Sequence, residues 1–371
     1  MHRARFVLLA AGGLAMATGV WLGLVRMGIP LPVRELAPMD HGPLMVSGFL
    51  GTVIALERAV ALRKTWGYLA PLLNALGSLV TLFTASIAGP VLMTLGSGVV
   101  LVILLRVLWM DHALHHVILT AAAAAWVVGN ALMTAGVPIF DVVGWWIAFL
   151  TLTIAAERLE LNRLLRPSLF SRAQFIGCVA VLVTGCGLVL VDRDLGFRLV
   201  GAACVGLAVW LLANDVARRT VKLPGATRFI AVSLLGGYGW LAVGGALALR
   251  FGNPAVGPVY DALLHALLVG FVFSMIFGHA LIIVPAVLGV GVQFRLRFYA
   301  HLALLHLSLG FRVAGDLASV DVLRTTGAWL NAAAILLFIV NTVMAARRRK
   351  APAARPVGAG AAVSKVIERP A

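Results

Sequence analysis

The chain has 371 residues, of which 61% are hydrophobic and only 12% charged, with a mean hydropathy of +1.01. A soluble domain is about half apolar and roughly a quarter charged, so this composition excludes a soluble globular protein. The formal net charge of +16 would suit nucleic acid, but the basic residues gather in alternate loops between apolar runs, which excludes that partner and points to a lipid bilayer.

A spanning helix needs about 20 apolar residues, because hydrocarbon offers backbone amides no partner. Arg3 and Arg5 precede such a run, from Phe6 to Met27. It is long for a signal peptide and no clear small-x-small site follows it, so it reads as the first helix. Further segments follow at 41–62, 67–88, 90–110, 115–136, 139–160, 173–192, 197–217, 228–249, 258–288, 298–320 and 325–345. The expectation is an all-α polytopic membrane protein whose twelve transmembrane helices occupy residues 1–346. The remainder, 347–371, is a basic tail rich in Pro, Gly and Ala, expected to be disordered.

Loop charge sets the orientation. One set of connections carries Arg58, Arg63 and Lys64; Arg158, Arg163, Arg166 and Arg172; Arg218, Arg219, Lys222 and Arg228; and Arg295 with Arg297. Arg347, Arg348, Arg349 and Lys350 follow the last helix. The other set holds single bases (Arg34, Arg193, Arg250) among the acids Glu35, Asp40, Asp141, Asp192, Asp194 and Asp261. This pattern predicts a bacterial-type inner-membrane protein with both termini in the cytoplasm. Cys178, Cys186 and Cys204 lie inside apolar runs, where packing explains them and no disulfide framework is implied.

The stretch Phe49-Leu50 … Ile54-Ala55-Leu56-Glu57-Arg58 … Arg63 recurs as Phe149-Leu150 … Ile154-Ala155-Ala156-Glu157-Arg158 … Arg163, an offset of four helices. Repeated helix sets are common in membrane proteins. The Glu-Arg pairs read as interfacial anchors whose side chains snorkel.

Ionisable residues are costly in a bilayer and mark function. His41 begins the second helix and His265 lies in the outer part of the tenth, both near the outer surface, where two imidazoles at one depth can hold a haem iron from opposite faces. His279 follows His265 on nearly the same face, roughly 21 Å deeper. His306 on the eleventh helix matches its depth, so His279 and His306 are candidates for a second haem or metal site, with His301 nearer the cytoplasmic surface as a further candidate metal ligand. His112, His115 and His116 fall at the cytoplasmic mouth of the fifth helix, an interfacial position that His301 is expected to share. Arg312 and Asp316 are spaced i,i+4, so Arg312 either pairs with Asp316 or neutralises a haem propionate.

The run His41-Gly42-Pro43-Leu44-Met45-Val46-Ser47-Gly48-Phe49 resembles the His-Gly-x-x-Met second helix of haem–copper oxidase subunit I and the His-Glu-Met-x-x-Gly-Phe stretch of the NnrS family of nitric oxide response proteins. His265-Ala266-Leu267-Leu268-Val269-Gly270 is similar to the His-Ala-Leu-x-Val-Gly stretch of the NnrS family. The resemblance implies twelve helices, four-helix repeats, one or two b-type haems, copper as a further metal, nitric oxide as a ligand and a quinone or cytochrome as redox partner. In the oxidases the second and tenth helices supply both axial ligands of the low-spin haem, positions that His41 and His265 match. The sequence also departs from that pattern. The segments 139–160 and 173–192 contain no histidine, so the usual copper trio is missing, and no His-x-His stands on the tenth helix.

The expected function is therefore a haem-binding membrane protein, with copper as an optional second metal, acting in nitric oxide handling or transmembrane electron transfer. Whether it is also an enzyme of the haem–copper or nitric oxide type stays open. The alternatives are a proton-coupled transporter or permease without haem, its path marked by buried histidines, and an assembly factor.

Overall fold

A computed structural model describes residues 2–32, 38–84, 86–162 and 168–348. Arg34, Glu35, Arg163, Arg166 and the tail 349–371, which carried charge, repeat and disorder expectations above, lie outside the described residues.

Twelve long helices account for most of these residues: α1 (His2–Arg26), α2 (His41–Leu62), α3 (Thr65–Phe83), α4 (Ala88–Met110), α5 (Leu114–Thr134), α6 (Ile139–Asn162), α7 (Leu169–Leu188), α8 (Arg193–Asn214), α9 (Ala226–Phe251), α10 (Pro258–Leu288), α11 (Phe298–Ala318) and α12 (Asp321–Ala345). Eleven are long and apolar enough to cross a membrane. The exception, α11, has 21 residues, long enough to span, but its apolar run is interrupted by His301, His306, Arg312 and Asp316. The chain is an all-α, multi-pass membrane protein. Local chemistry sets the helix ends: Ser168 and Asp192 accept the Ser171 and Leu195 amides that open α7 and α8, and Gly289, at φ 69°, turns the chain out of α10. After α12 the backbone continues as a short strand (Ala346–Arg348) paired antiparallel with Val290–Val292, so order extends two residues past the boundary expected for the tail.

Burial repeats with the four-helix period. The share of the most apolar window that is inside the protein is 61% for α2, 78% for α6 and 61% for α10, the three highest values among the eleven. These are the helices that a four-helix repeat would make equivalent, and they form the middle of the bundle. Trp126, Trp146, Phe149, Phe271 and Phe277 fill the core around them. Consecutive helices otherwise pack as neighbours, with α8 on α9 and α11 on α12 the most extensive contacts. At the first of these the backbones nearly touch, because a side chain at Gly245 would meet the Gly201 carbonyl at 2.8 Å.

Candidate functional site

The site begins where α1 runs past the start of α2. Gly19 and Gly23, one turn apart on α1, leave the space in which Met45 and the His41 ring lie; a Cβ at Gly23 would sit 2.8 Å from His41 Cε1. His41 Nδ1 is 2.6 Å from the Gly19 carbonyl. A carbonyl can only accept, so Nδ1 carries the proton and Nε2 keeps its lone pair. His265 is held the same way, with Nδ1 2.8 Å from the Asp261 carbonyl one turn earlier on α10. Metal-ligating histidines characteristically donate their second nitrogen to such an acceptor, which fixes the tautomer and the ring orientation.

The two rings meet. Their centroids are 6.2 Å apart with planes inclined by 18°. A metal–imidazole bond is about 2 Å and the ring centre lies roughly 1 Å beyond the nitrogen, so imidazoles on opposite sides of one ion have centres about 6 Å apart. Eight residues further along each helix, Phe49 and Phe273 also face each other, with centroids 6.1 Å apart. The segments α2 and α10 thus lie in register, histidine against histidine and phenylalanine against phenylalanine. Just after each histidine the helix widens into π-helix, over Leu44–Gly51 and Ala266–Phe273. π-helical turns are rare and gather at functional sites.

The histidines line a cavity of about 200 Å³, smaller than the usual organic-ligand pocket. Its apolar wall includes Val46, Leu50, Val143, Trp146, Leu268 and Phe273. Its charged groups are Arg26, Asp261 and Arg312. Arg312 grips Asp261 through two bonds, Nε to Oδ2 at 2.8 Å and Nη2 to Oδ1 at 2.9 Å, and Asp261 Oδ1 lies 3.3 Å from His265 Nδ1. Asp316 pairs instead with Arg324 of α12, Nε to Oδ1 at 2.8 Å. The i,i+4 pairing of Arg312 with Asp316 does not form; each residue prefers a charge on a neighbouring helix. Burial pushes the Asp40 carboxyl, just ahead of α2, above the usual carboxylate range.

The donor set fits a porphyrin iron. Two imidazoles held through Nδ1 leave Nε2 free for a metal at a ring spacing of 6.2 Å, the walls are apolar, and Arg26 and Arg312 could meet carboxylate substituents. Met39 and Met45 add sulfur near His41, a set that suits copper also.

The remaining histidines lie elsewhere. His279 Nδ1 is bound to the Met275 carbonyl at 2.8 Å. His306 accepts the Trp240 indole proton at Nδ1, 2.9 Å, so its neutral ring carries hydrogen on Nε2 and has no lone pair left for a metal. Among the described residues no ring contact joins His279 to His306. His301, in the first turn of α11, is fully buried between helices, bonded through Nδ1 to Asn341 at 3.1 Å and walled by Phe229, Phe277, Phe298 and Phe338. His115 is buried, His116 half-buried and His112 exposed.

Sequence reasoning missed Arg26, Asp261 as the partner of Arg312, and the Gly19/Gly23 seat. The Gly-x-x-x-Gly spacing of that seat was a visible sign of close helix approach. It also read Glu57-Arg58 and Glu157-Arg158 as separate anchors, whereas Arg58 donates to Glu157 across helices and Arg158 lies 4.0 Å from the buried Asp215, which accepts the Tyr238 hydroxyl.

A family model described as a domain of unknown function (DUF8744) matches residues 5–347, so the chain belongs to that family. No curated protein and no solved structure matches the chain.

Proposed function

We propose that this family member is a haem-binding membrane protein of the electron-transfer type, with iron held between His41 and His265. The observation that carries the reading is the facing ring pair, centroids 6.2 Å apart, with each Nδ1 engaged by a backbone carbonyl. When bound, a b-type haem would supply a one-electron carrier whose potential is set by axial ligation and an apolar shell. The residues do the rest. Gly19 and Asp261 hold the imidazoles in one tautomer, the apolar wall excludes water, and Asp261 fixes the Arg312 guanidinium beside the cavity.

Two protein ligands on one iron favour electron transfer over nitric oxide handling, because a diatomic ligand needs an open axial position. The loop charges favour an inner-membrane setting with cytoplasmic termini, which would put this pair at the outer face, within reach of a quinone or a cytochrome. Copper bound by the same imidazoles with Met45 is the second reading, favoured by the sulfur beside His41.

Absorption spectra of detergent-purified protein, as isolated and after dithionite, test this. The expected result is a Soret band with sharp reduced α and β bands, lost in His41→Ala and in His265→Ala and retained in His306→Ala. A colourless protein that moves solute into vesicles would instead support the permease alternative. Retention of the full haem content in both His41→Ala and His265→Ala would falsify the ligand assignment.

A further inference from the structure

A second group of donors lies at the far end of α6 from the histidine pair. Ile139, at the start of α6, lines the cavity, and Glu160 follows it by 21 residues, roughly 30 Å away at 1.5 Å per residue. At this end the chain leaves α4 at Asp111 and enters α5 at Leu114. Asp111 Oδ1 accepts the Ala113 amide at 3.1 Å and the Asp111 carbonyl accepts His116 Nδ1–H at 3.0 Å, so the turn is locked.

Adjacent helical residues point about 100° apart, yet the His115 and His116 rings are drawn together, centroids 4.1 Å apart. One donor atom from each of Asp111, His115 and His116 lies within 4.8 Å of the others. A second carboxylate approaches from α6, with Glu160 Oε1 4.0 Å from His115 Nε2. We propose that Asp111, His115 and His116, with Glu160 as the fourth donor, bind a divalent transition-metal ion of the Zn²⁺ class. Two imidazoles and two carboxylates make a four-donor set of the kind zinc accepts, with bonds of about 2.0–2.2 Å. Tetrahedral donors at that bond length sit roughly 3.4 Å apart, so the group must contract on binding. The carboxylates can do this, since the Asp111 and Glu160 side chains are 56% and 49% exposed. The buried His115 is the fixed point, and a bound ion would tie the α4–α5 turn to the end of α6. Two carboxylates also offset the positive end of α5, which would otherwise oppose a cation.

The test uses the full chain, purified in detergent without a polyhistidine tag and titrated calorimetrically with Zn²⁺, then with Co²⁺ followed by visible absorption. The expected result is one tight equivalent with Co²⁺ bands of a four-coordinate site. Asp111→Asn and His116→Ala, both at exposed or half-exposed positions, should each weaken Zn²⁺ by about tenfold or more. Both should leave any Soret band unchanged, and Asp111→Asn, which keeps the Oδ1 acceptor for the Ala113 amide, the metal-free unfolding temperature as well, so this result is independent of the haem reading. The proposal is overturned if wild type binds no Zn²⁺, if both variants bind it as wild type does, or if binding is lost in His41→Ala instead.

Discussion

Arg312 of α11 clasps Asp261 of α10 with two near-parallel hydrogen bonds, 2.8 and 2.9 Å long, one helical turn before His265. The pair is mostly inside the protein, with the Arg312 side chain 8% exposed. Breaking such a pair strands one charge. Asp261→Asn is expected to lower stability by about 3 kcal/mol. Replacing both, as Asp261→Leu with Arg312→Met, should cost less than Asp261→Asn alone. Arg312→Lys should not rescue, because an ammonium cannot make both bonds in one plane. Thermal unfolding in detergent measures each, and a double variant no more stable than Asp261→Asn would refute the argument.

Arg58 and Glu157, from the two matching stretches of sequence, meet across α2 and α6. Both side chains are partly exposed, 16% and 27%, so solvent screens the pair and its coupling should be about 1 kcal/mol. Arg58→Glu and Glu157→Arg alone should each destabilise, and the exchanged pair should recover part of the loss. A double-mutant cycle with no coupling would mean that the two residues only anchor their own helices.

Asn130 joins helices far apart in sequence. Its Oδ1 accepts from Ser47 Oγ at 2.8 Å and from Trp146 Nε1 at 3.0 Å, and Trp126 Nε1 in turn donates to Ser47 Oγ at 3.0 Å. Asn130→Leu leaves two buried donors without an acceptor and should cost about 2–4 kcal/mol. Chemical denaturation followed by tryptophan fluorescence reports on the rings involved; a loss under about 0.5 kcal/mol would indicate that the network contributes little, as some membrane hydrogen bonds do.

Gly245→Ala should separate α9 from α8. The added Cβ would stand 2.8 Å from the Gly201 carbonyl and 2.9 Å from the Val205 amide, and backbone cannot turn aside as a flexible side chain can. The expected loss is about 1–3 kcal/mol. Gly239→Ala, where a Cβ meets nothing within 4 Å, is the matched control and should unfold as wild type does.

The spans expected at 139–160, 258–288 and 325–345 match the ends of α6, α10 and α12 to within four residues, because an apolar run long enough to cross the bilayer is a property of consecutive residues. The matching heights of His41 and His265 were legible for the same reason: His41 opens its run and His265 lies in the first third of its own. The azimuth of each ring was not. His306 faces Trp240 and His301 faces an aromatic wall, and nothing in helical spacing says which neighbour a residue will find.

The sequence by itself determined that the chain is a membrane bundle, where its long apolar helices lie, and that the second and the tenth each carry a histidine in their first third. Those properties follow from the free energy of moving short stretches out of water, to which each residue contributes locally. Only the tertiary structure decided that α2 and α10 lie side by side in register, that Arg312 turns to Asp261 rather than Asp316, and that Gly19 supplies the acceptor for His41. In a bilayer most helix faces are equally apolar, so pairing is chosen by close packing and by a few buried polar partners, and those become neighbours only once the whole bundle has assembled.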